Sequence, residues 1–195
     1  MDIEFPKEWE VDLGDDNVYK GPFKFNKKGD GNKLVVGDNC FLGNIRIDML
    51  GNNNKVIIES NVYVKKAHFR LRGNNQTVHI GGDSRINGVY FLCESGCNIT
   101  TGKSCLFSYD ISIRTTDAHK ILDLNSRDVI NKPKSVNIGN HVWVGTEALI
   151  TKGVNIVDDV VVGQRALVNK DVLESHVIVA GVPCSIVKRE VTWER

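Results

Sequence analysis

A six-residue rhythm between residues 136 and 173 constrains this chain more than any other feature. Starting at Ile138 it divides into IGNHVW, VGTEAL, ITKGVN, IVDDVV, VGQRAL and VNKDVL. The first position is Ile138, Val144, Ile150, Ile156, Val162 and Val168, and the fifth is Val142, Ala148, Val154, Val160, Ala166 and Val172. Gly139, Gly145 and Gly163 take the second position. Apolar residues six apart drift around a 3.6-residue helical period, so no helix keeps them on one face. Short strands separated by corners, three to a turn, do keep them there. The aliphatic first residue then points into a three-sided prism, the small fifth residue fits the corner, and polar side chains sit outside. Tandem hexapeptides of this kind mark an all-β parallel β-helix.

A longer repeat precedes this run. LVVGDNCFL (34–42), VIIESNVYV (56–64) and VHIGGDSRI (78–86) recur at intervals of 22 residues. Their first positions are Val36, Ile58 and Ile80, and their fifth are Cys40, Val62 and Ser84. GNNNK (51–55) and RGNNQT (72–77) are turn-forming clusters that lengthen one corner. TTGKSCLF (100–107) supplies the next coil, for about seven in all. From Thr101 to Ile138 is 37 residues, two 18-residue coils plus one residue by count. Within it FSYDIS and IRTTDA continue the sixes, whereas HKILDLNSRDVINKPKS (119–135) breaks them and is expected to protrude as a loop. Loops on rigid scaffolds often carry function. The expected organisation is an irregular cap over 1–31, a prism over 32–182 with a loop at about 119–135, and a C-terminal tail over 183–195 whose last residues form a short tail or helix. Trp9 and Phe23 are expected as capping contacts, because solenoid ends must be covered.

At 195 residues the chain has the size of one domain. Its net charge of +1 gives no general electrostatic case for nucleic acid or membrane. No apolar run approaches the ~20 residues of a transmembrane helix. The opening MDIEFPKEWEVDLGDD is acidic and lacks a signal peptide's basic and apolar regions, so a cytoplasmic location is expected. Cys40, Cys93, Cys97, Cys105 and Cys184 form no CxxC pair. Cys93 and Cys97 lack a second half-site, and Cys40 and Cys105 read as buried corner residues. No metal site is expected, and no P-loop or dinucleotide fingerprint is present.

Among the five histidines, His119 sits where the hexads give way to the loop. A neutral imidazole can take a hydroxyl proton at neutral pH, which suits a general base. Asp117, two residues earlier, could orient it. Trp143 ends its hexad and should point outward, either into a subunit interface or against a sugar ring or pantetheine arm. His68 and His79 lie in the upper coils with no partner motif, His141 is the fourth residue of its hexad, and His176 is in the C-terminal turn.

Over about residues 78–189 the chain resembles the left-handed β-helix, hexapeptide-repeat O-acetyltransferases, most nearly those of bacterial capsules and polysialic acid. The resemblance is carried by the hexads, by His119 ahead of the loop, by VWVG at 142–145 and by AGVPCSIVKR at 180–189. Cys184 stands where that family usually has Ala. The resemblance implies acetyl-CoA as co-substrate, a homotrimer, and His119 as general base. It places Asn87 on the acceptor side and makes the Thr146 N–H an oxyanion donor, a role that needs no particular side chain. It runs pantetheine past Trp143, Gly145, Thr146 and Gly163, with Arg165, Lys170, Lys188 and Arg189 meeting the nucleotide phosphates.

Arg85 precedes the inward Ile86 and Asn87 follows it, so both face outward on one rim. With Lys65, Lys66, Arg70 and Arg72 one coil earlier, Arg85 suits an anionic glycan such as sialic acid or its polymer. A neutral saccharide or O-antigen sugar is the alternative acceptor. Two other classes compete with this reading. A zinc carbonic anhydrase of the same β-helix class would need clustered histidines, and the HxxxxH spacing is missing. A non-catalytic structural β-helix would not gain melting temperature from acetyl-CoA, as a ligand-binding fold should. Serine acetyltransferases differ in carrying a helical N-terminal domain.

Overall fold

The computed structural model describes residues 3–195, and every regular element among them is a β-strand. No helix among the described residues is long and apolar enough to cross a membrane. The strands wind a left-handed parallel β-helix with three faces. The first face is a seven-stranded parallel sheet: Glu10–Leu13, Lys33–Val36, Lys55–Ile58, Thr77–Ile80, Ile99–Thr101, Val136–Ile138 and Asn155–Ile156. The second and third faces belong to one sheet, because the ten-residue strands Phe41–Leu50 and Tyr63–Arg72 run on around their shared corner. The second face carries Arg85–Ile86, Leu106–Phe107, Trp143–Val144 and Val160–Val162; the third carries Val89–Glu94, Ile111–Arg114, Leu149–Ile150 and Leu167–Val168.

The hexad rule describes the core directly. All six first-position and all six fifth-position residues of the lower run are between 0% and 6% exposed. Register confirms the two coil lengths: Lys33 pairs with Lys55 and Lys55 with Thr77 in the upper coils, and Asn137 with Asn155 below. The extra residues of the upper coils fold into a buried amide ladder. Asn32 Oδ1 accepts from the Asn54 N–H at 2.9 Å, and Asn54 Oδ1 from the Gln76 N–H at 3.1 Å. Both asparagines and Gln76 are wholly buried, so their bonds satisfy main-chain groups that the bulged corner would otherwise strand. In five of the six hexads the fourth position is a corner in left-handed conformation: φ is 52° at His141, 60° at Glu147, 79° at Gly153, 59° at Asp159 and 58° at Arg165.

Three expectations change. Residues 10–28 are not irregular: Glu10–Leu13, Val18–Tyr19 and Phe23–Lys28 pair in parallel register with the coil below. The hexad signal fails there because aromatic rings close the end of the prism. Trp9 is buried and lies edge-on to Phe25 at 5.6 Å, and Phe5 and Phe23 also pack on Phe25. Residues 1 and 2 of the expected cap lie outside the described residues. Secondly, residues 99–135 make one coil rather than two, since Ile99 pairs directly with Val136. The excess leaves and returns at one corner, where the Lys134 N–H donates to the Thr115 carbonyl at 3.0 Å. Thirdly, the segment after 183 contains no helix. Cys184–Arg189 folds back antiparallel on Val177–Gly181, and residues 190–195 then run up the outside of the prism.

Candidate active site

Of the residues singled out above, the second face gathers Arg85, Asn87, Trp143, Gly145 and Gly163. Backbone ladders place Asn87, Ser108, Gly145 and Gly163 in one outward column, each following an inward residue. The adjoining column is Tyr63, Arg85, Leu106, Trp143, Val161 and Ile178. Arg85 stacks on Tyr63 with its guanidinium carbon 4.2 Å from the ring centroid, and its Nε donates to Asn87 Oδ1 at 3.3 Å. Trp143 is 37% exposed, and its Nε1–H donates to Ser108 Oγ at 3.2 Å. Close packing between coils explains the glycines. A Cβ on Gly145 would lie 2.7 Å from the Gln164 nitrogen, and one on Gly163 would lie 2.9 Å from Ala180 Cβ. Thr146 turns the next corner; its carbonyl accepts from the Arg165 N–H at 2.9 Å, while its own N–H meets no acceptor among the described residues.

His119 is elsewhere on the same prism. It follows the corner that closes the third face and precedes the first-face strand Val136–Ile138. In a three-sided prism that corner is opposite the second face, so a single chain does not bring His119 and Trp143 together. The His119 side chain is exposed and makes no hydrogen bond among the described residues, but its backbone is fixed. Asn131 Nδ2 donates to the His119 carbonyl at 2.8 Å and to Asp117 Oδ2 at 2.9 Å. Asp117 is engaged by the Lys152 ammonium rather than by the imidazole, and that bond holds its carboxyl below the usual range, against a smaller opposing effect of burial. Asp117 therefore braces the loop that carries His119.

The expected phosphate contacts divide. Arg165 is taken up by Glu147 through Nε at 2.7 Å and Nη2 at 3.3 Å, and Arg189 by Glu174 in the same way. Lys170 is exposed, and Lys188 lies opposite Ile178 at the foot of the Trp143 column. Of the basic track, Arg72 pairs with Glu94 and Lys65 lies 5.1 Å from the Tyr109 ring centre, whereas Lys66 lines a groove. That groove, of about 530 Å³, opens on the third face between Lys24, Arg46, Lys66, His68, Tyr90 and Arg114. Beneath it Asp48, 1% exposed, accepts from Asn26, Arg46 and His68 at 2.8–2.9 Å. Burial pushes the thiols of all five cysteines up, that of Cys105 to about 11, which leaves little thiolate at neutral pH.

Sequence reasoning missed Ser108, Asn131, Lys152 and Trp193. Only Trp193 carried a signal, as a lone tryptophan in a polar tail. The partners of His68, His79 and His141, which are Asp48, Glu59 and Asp159, come from neighbouring coils and share no local motif.

No family model matches the chain. It is 48% identical over 109 residues to the polysialic acid O-acetyltransferase of Neisseria meningitidis, a match covering 56% of this chain and 50% of that protein. It is 43% identical over 116 residues to the polysialic acid O-acetyltransferase of Escherichia coli O1:K1 / APEC, covering 60% and 38% respectively. The chain thus spans half or less of the length of these curated relatives. Among solved structures it is similar to the polySia specific acetyltransferase NeuO, with TM-score 0.83 and 32% identity over 97% of this chain and 90% of that one. Similarity to the polysialic acid O-acetyltransferase OatWY gives TM-score 0.87 and 27% identity over 96% and 91%. Similar over almost its whole length to these structures, the chain belongs to the hexapeptide-repeat O-acetyltransferase family of NeuO and OatWY.

Proposed function

We propose that the chain transfers an acetyl group from acetyl-CoA to a hydroxyl of a bacterial surface glycan of the sialic acid or polysialic acid type. The observation that carries this reading is the second-face strip of Arg85, Asn87, Ser108 and Trp143, in a chain similar over almost its whole length to a polySia specific acetyltransferase. The His119 imidazole takes the acceptor hydroxyl proton while the oxygen attacks the thioester carbonyl. The Thr146 N–H donates to the oxyanion that forms, and the imidazolium returns the proton to the departing CoA sulfur. Raised cysteine thiols favour direct transfer over an acetyl-enzyme. Arg85 receives an acceptor carboxylate, and the basic groove on the third face favours an acidic polymer.

Because His119 and Trp143 lie on opposite sides of one prism, the site is read as shared between copies. His119 of one chain completes the Trp143 face of the next, and a homotrimer closes all three sites alike. Location in the cytoplasm, where acetyl-CoA is supplied, belongs to the same reading. A glycan-acceptor screen with acetyl-CoA, followed by mass spectrometry, tests it. A 42 Da gain, ~42 by the mass of an acetyl group, on sialic acid polymers supports the proposal; acetylation confined to neutral glycans removes the acidic acceptor.

A further inference from the structure

Residues 190–195 climb one corner of the prism against the direction of winding. The Val191 N–H donates to the His176 carbonyl at 3.0 Å, Trp193 Nε1 to the His141 carbonyl at 2.9 Å, and Arg195 Nη2 to the Asp83 carbonyl at 2.9 Å. His176, His141 and Asp83 are stacked corner residues of alternate coils, with the corners of Asp159 and Ser104 between them. The strap thus ties together coils far apart in sequence, and midway along it sits Trp193.

Trp193 is 8% exposed and lies between two rings. It stacks on the His141 imidazole with centroids 4.4 Å apart and planes 10° apart, and it approaches Trp143 at 6.1 Å and 49°. His141 is itself fixed, since its Nδ1 bonds Asp159 Oδ1 at 2.8 Å and its backbone is locked in the left-handed corner. Trp143 has much weaker restraint. It ends its hexad on a flat face, over a third exposed, with one hydrogen bond to the Ser108 hydroxyl. An outward indole on a flat face has several staggered rotamers open to it. The row Asp159, His141, Trp193, Trp143 carries the rigidity of the corner out to that indole.

We propose that Trp193 is a positioning residue for Trp143, holding the indole in the one orientation that stacks on the substrate. The inference rests on the role of Trp143 in the proposed function. Small displacements of a positioning surface cost up to about 100-fold in rate, so Trp193→Ala should lower kcat/KM for acetyl transfer by about 10- to 100-fold. The decisive form is a double-mutant cycle with Trp143→Ala. If Trp193 acts through Trp143, its substitution changes nothing further once Trp143 is gone. A merely structural strap would give additive losses, and that result overturns the proposal while leaving the role of Trp143 intact. Full activity of Trp143→Ala would instead remove the role of Trp143, and the positioning proposal with it. A second measurement is independent of activity. Two indoles this close couple their electronic transitions, so the folded protein should show an exciton couplet in far-ultraviolet circular dichroism. The milder Trp193→Phe and Trp143→Phe variants should each abolish it; a couplet that survives either substitution overturns the pairing.

Discussion

The guanidinium of Arg85 lies 4.2 Å over the ring of Tyr63, the residue paired with it one coil above, and its Nε donates to Asn87 at 3.3 Å. The stack holds an exposed cation on the same rim as Trp143, and no carboxylate among the described residues pairs with it. Arg85→Ala should raise KM for an anionic acceptor about 10-fold, the scale of one charge-assisted bond pair, and leave KM for acetyl-CoA unchanged. Kinetics across salt concentrations check this; equal losses on neutral and acidic acceptors would contradict it.

Asn131 bonds both the His119 carbonyl and Asp117, while Lys152 holds Asp117 from the next coil. Asn131→Ala should loosen the loop beside His119 and lower kcat by about 10-fold, since orientation of the base is lost rather than the base itself. KM for acetyl-CoA should hardly change. An unchanged kcat in steady-state assays would show that the loop is fixed by other contacts.

Phe69 and Phe91 stack inside the prism at 5.0 Å with planes 2° apart, both without exposure. Phe91→Ala leaves a cavity between two coils that the parallel ladder cannot close, and should cost about 3–5 kcal/mol. Urea unfolding measures it; a loss under about 1 kcal/mol would mean that the coils collapse onto the gap.

Asp48 and His68 make stability depend on pH. Burial acts to raise the Asp48 carboxyl, but the bonds from Arg46, His68 and Asn26 together outweigh it and hold it below its usual range. Burial pushes the His68 imidazole down, against the pull of Asp48. At neutral pH the uncharged imidazole therefore donates its Nε2–H to the carboxylate. Both groups titrate lower in the folded chain, so the unfolded chain binds more protons in acid. Their contribution is full above about pH 6.5 and is lost as acid passes first the imidazole range and then, below about pH 4, the carboxyl range. The melting temperature should fall along that course, and His68→Gln should flatten its first part. A melting temperature that rises between about pH 6.5 and 5 would contradict the assignment.

The prism was legible because its core obeys a strict local rule. Ile138, Val144 and Ile150 announce the inward direction at each sixth residue, and each is buried. The end coil was hidden because Trp9 and Phe25 fill space that hexads fill elsewhere with Ile and Val. Residue count alone could not separate two coils from one coil plus a loop between Ile99 and Val136. Pairing settled it. On the second face, strand alternation sets Arg85 and Asn87 outward on either side of the buried Ile86, whereas the acceptor-side role of Asn87 came only with the family resemblance. Ser108, Asn131 and Trp193 act across coils or from the tail, at sequence separations of 35, 12 and 52 residues from their partners. No local pattern encodes such contacts.

In the proposed mechanism His119 supplies the base for acetyl transfer to an acidic glycan. It is tested most directly by following acetyl-CoA consumption with polysialic acid for the unaltered chain and for His119→Ala. The expected result is a fall in kcat of at least ~100-fold, with acetyl-CoA still raising the melting temperature of the variant by the same amount. Turnover close to that of the unaltered chain, or a stable acetyl-enzyme isolated from either protein, would contradict it.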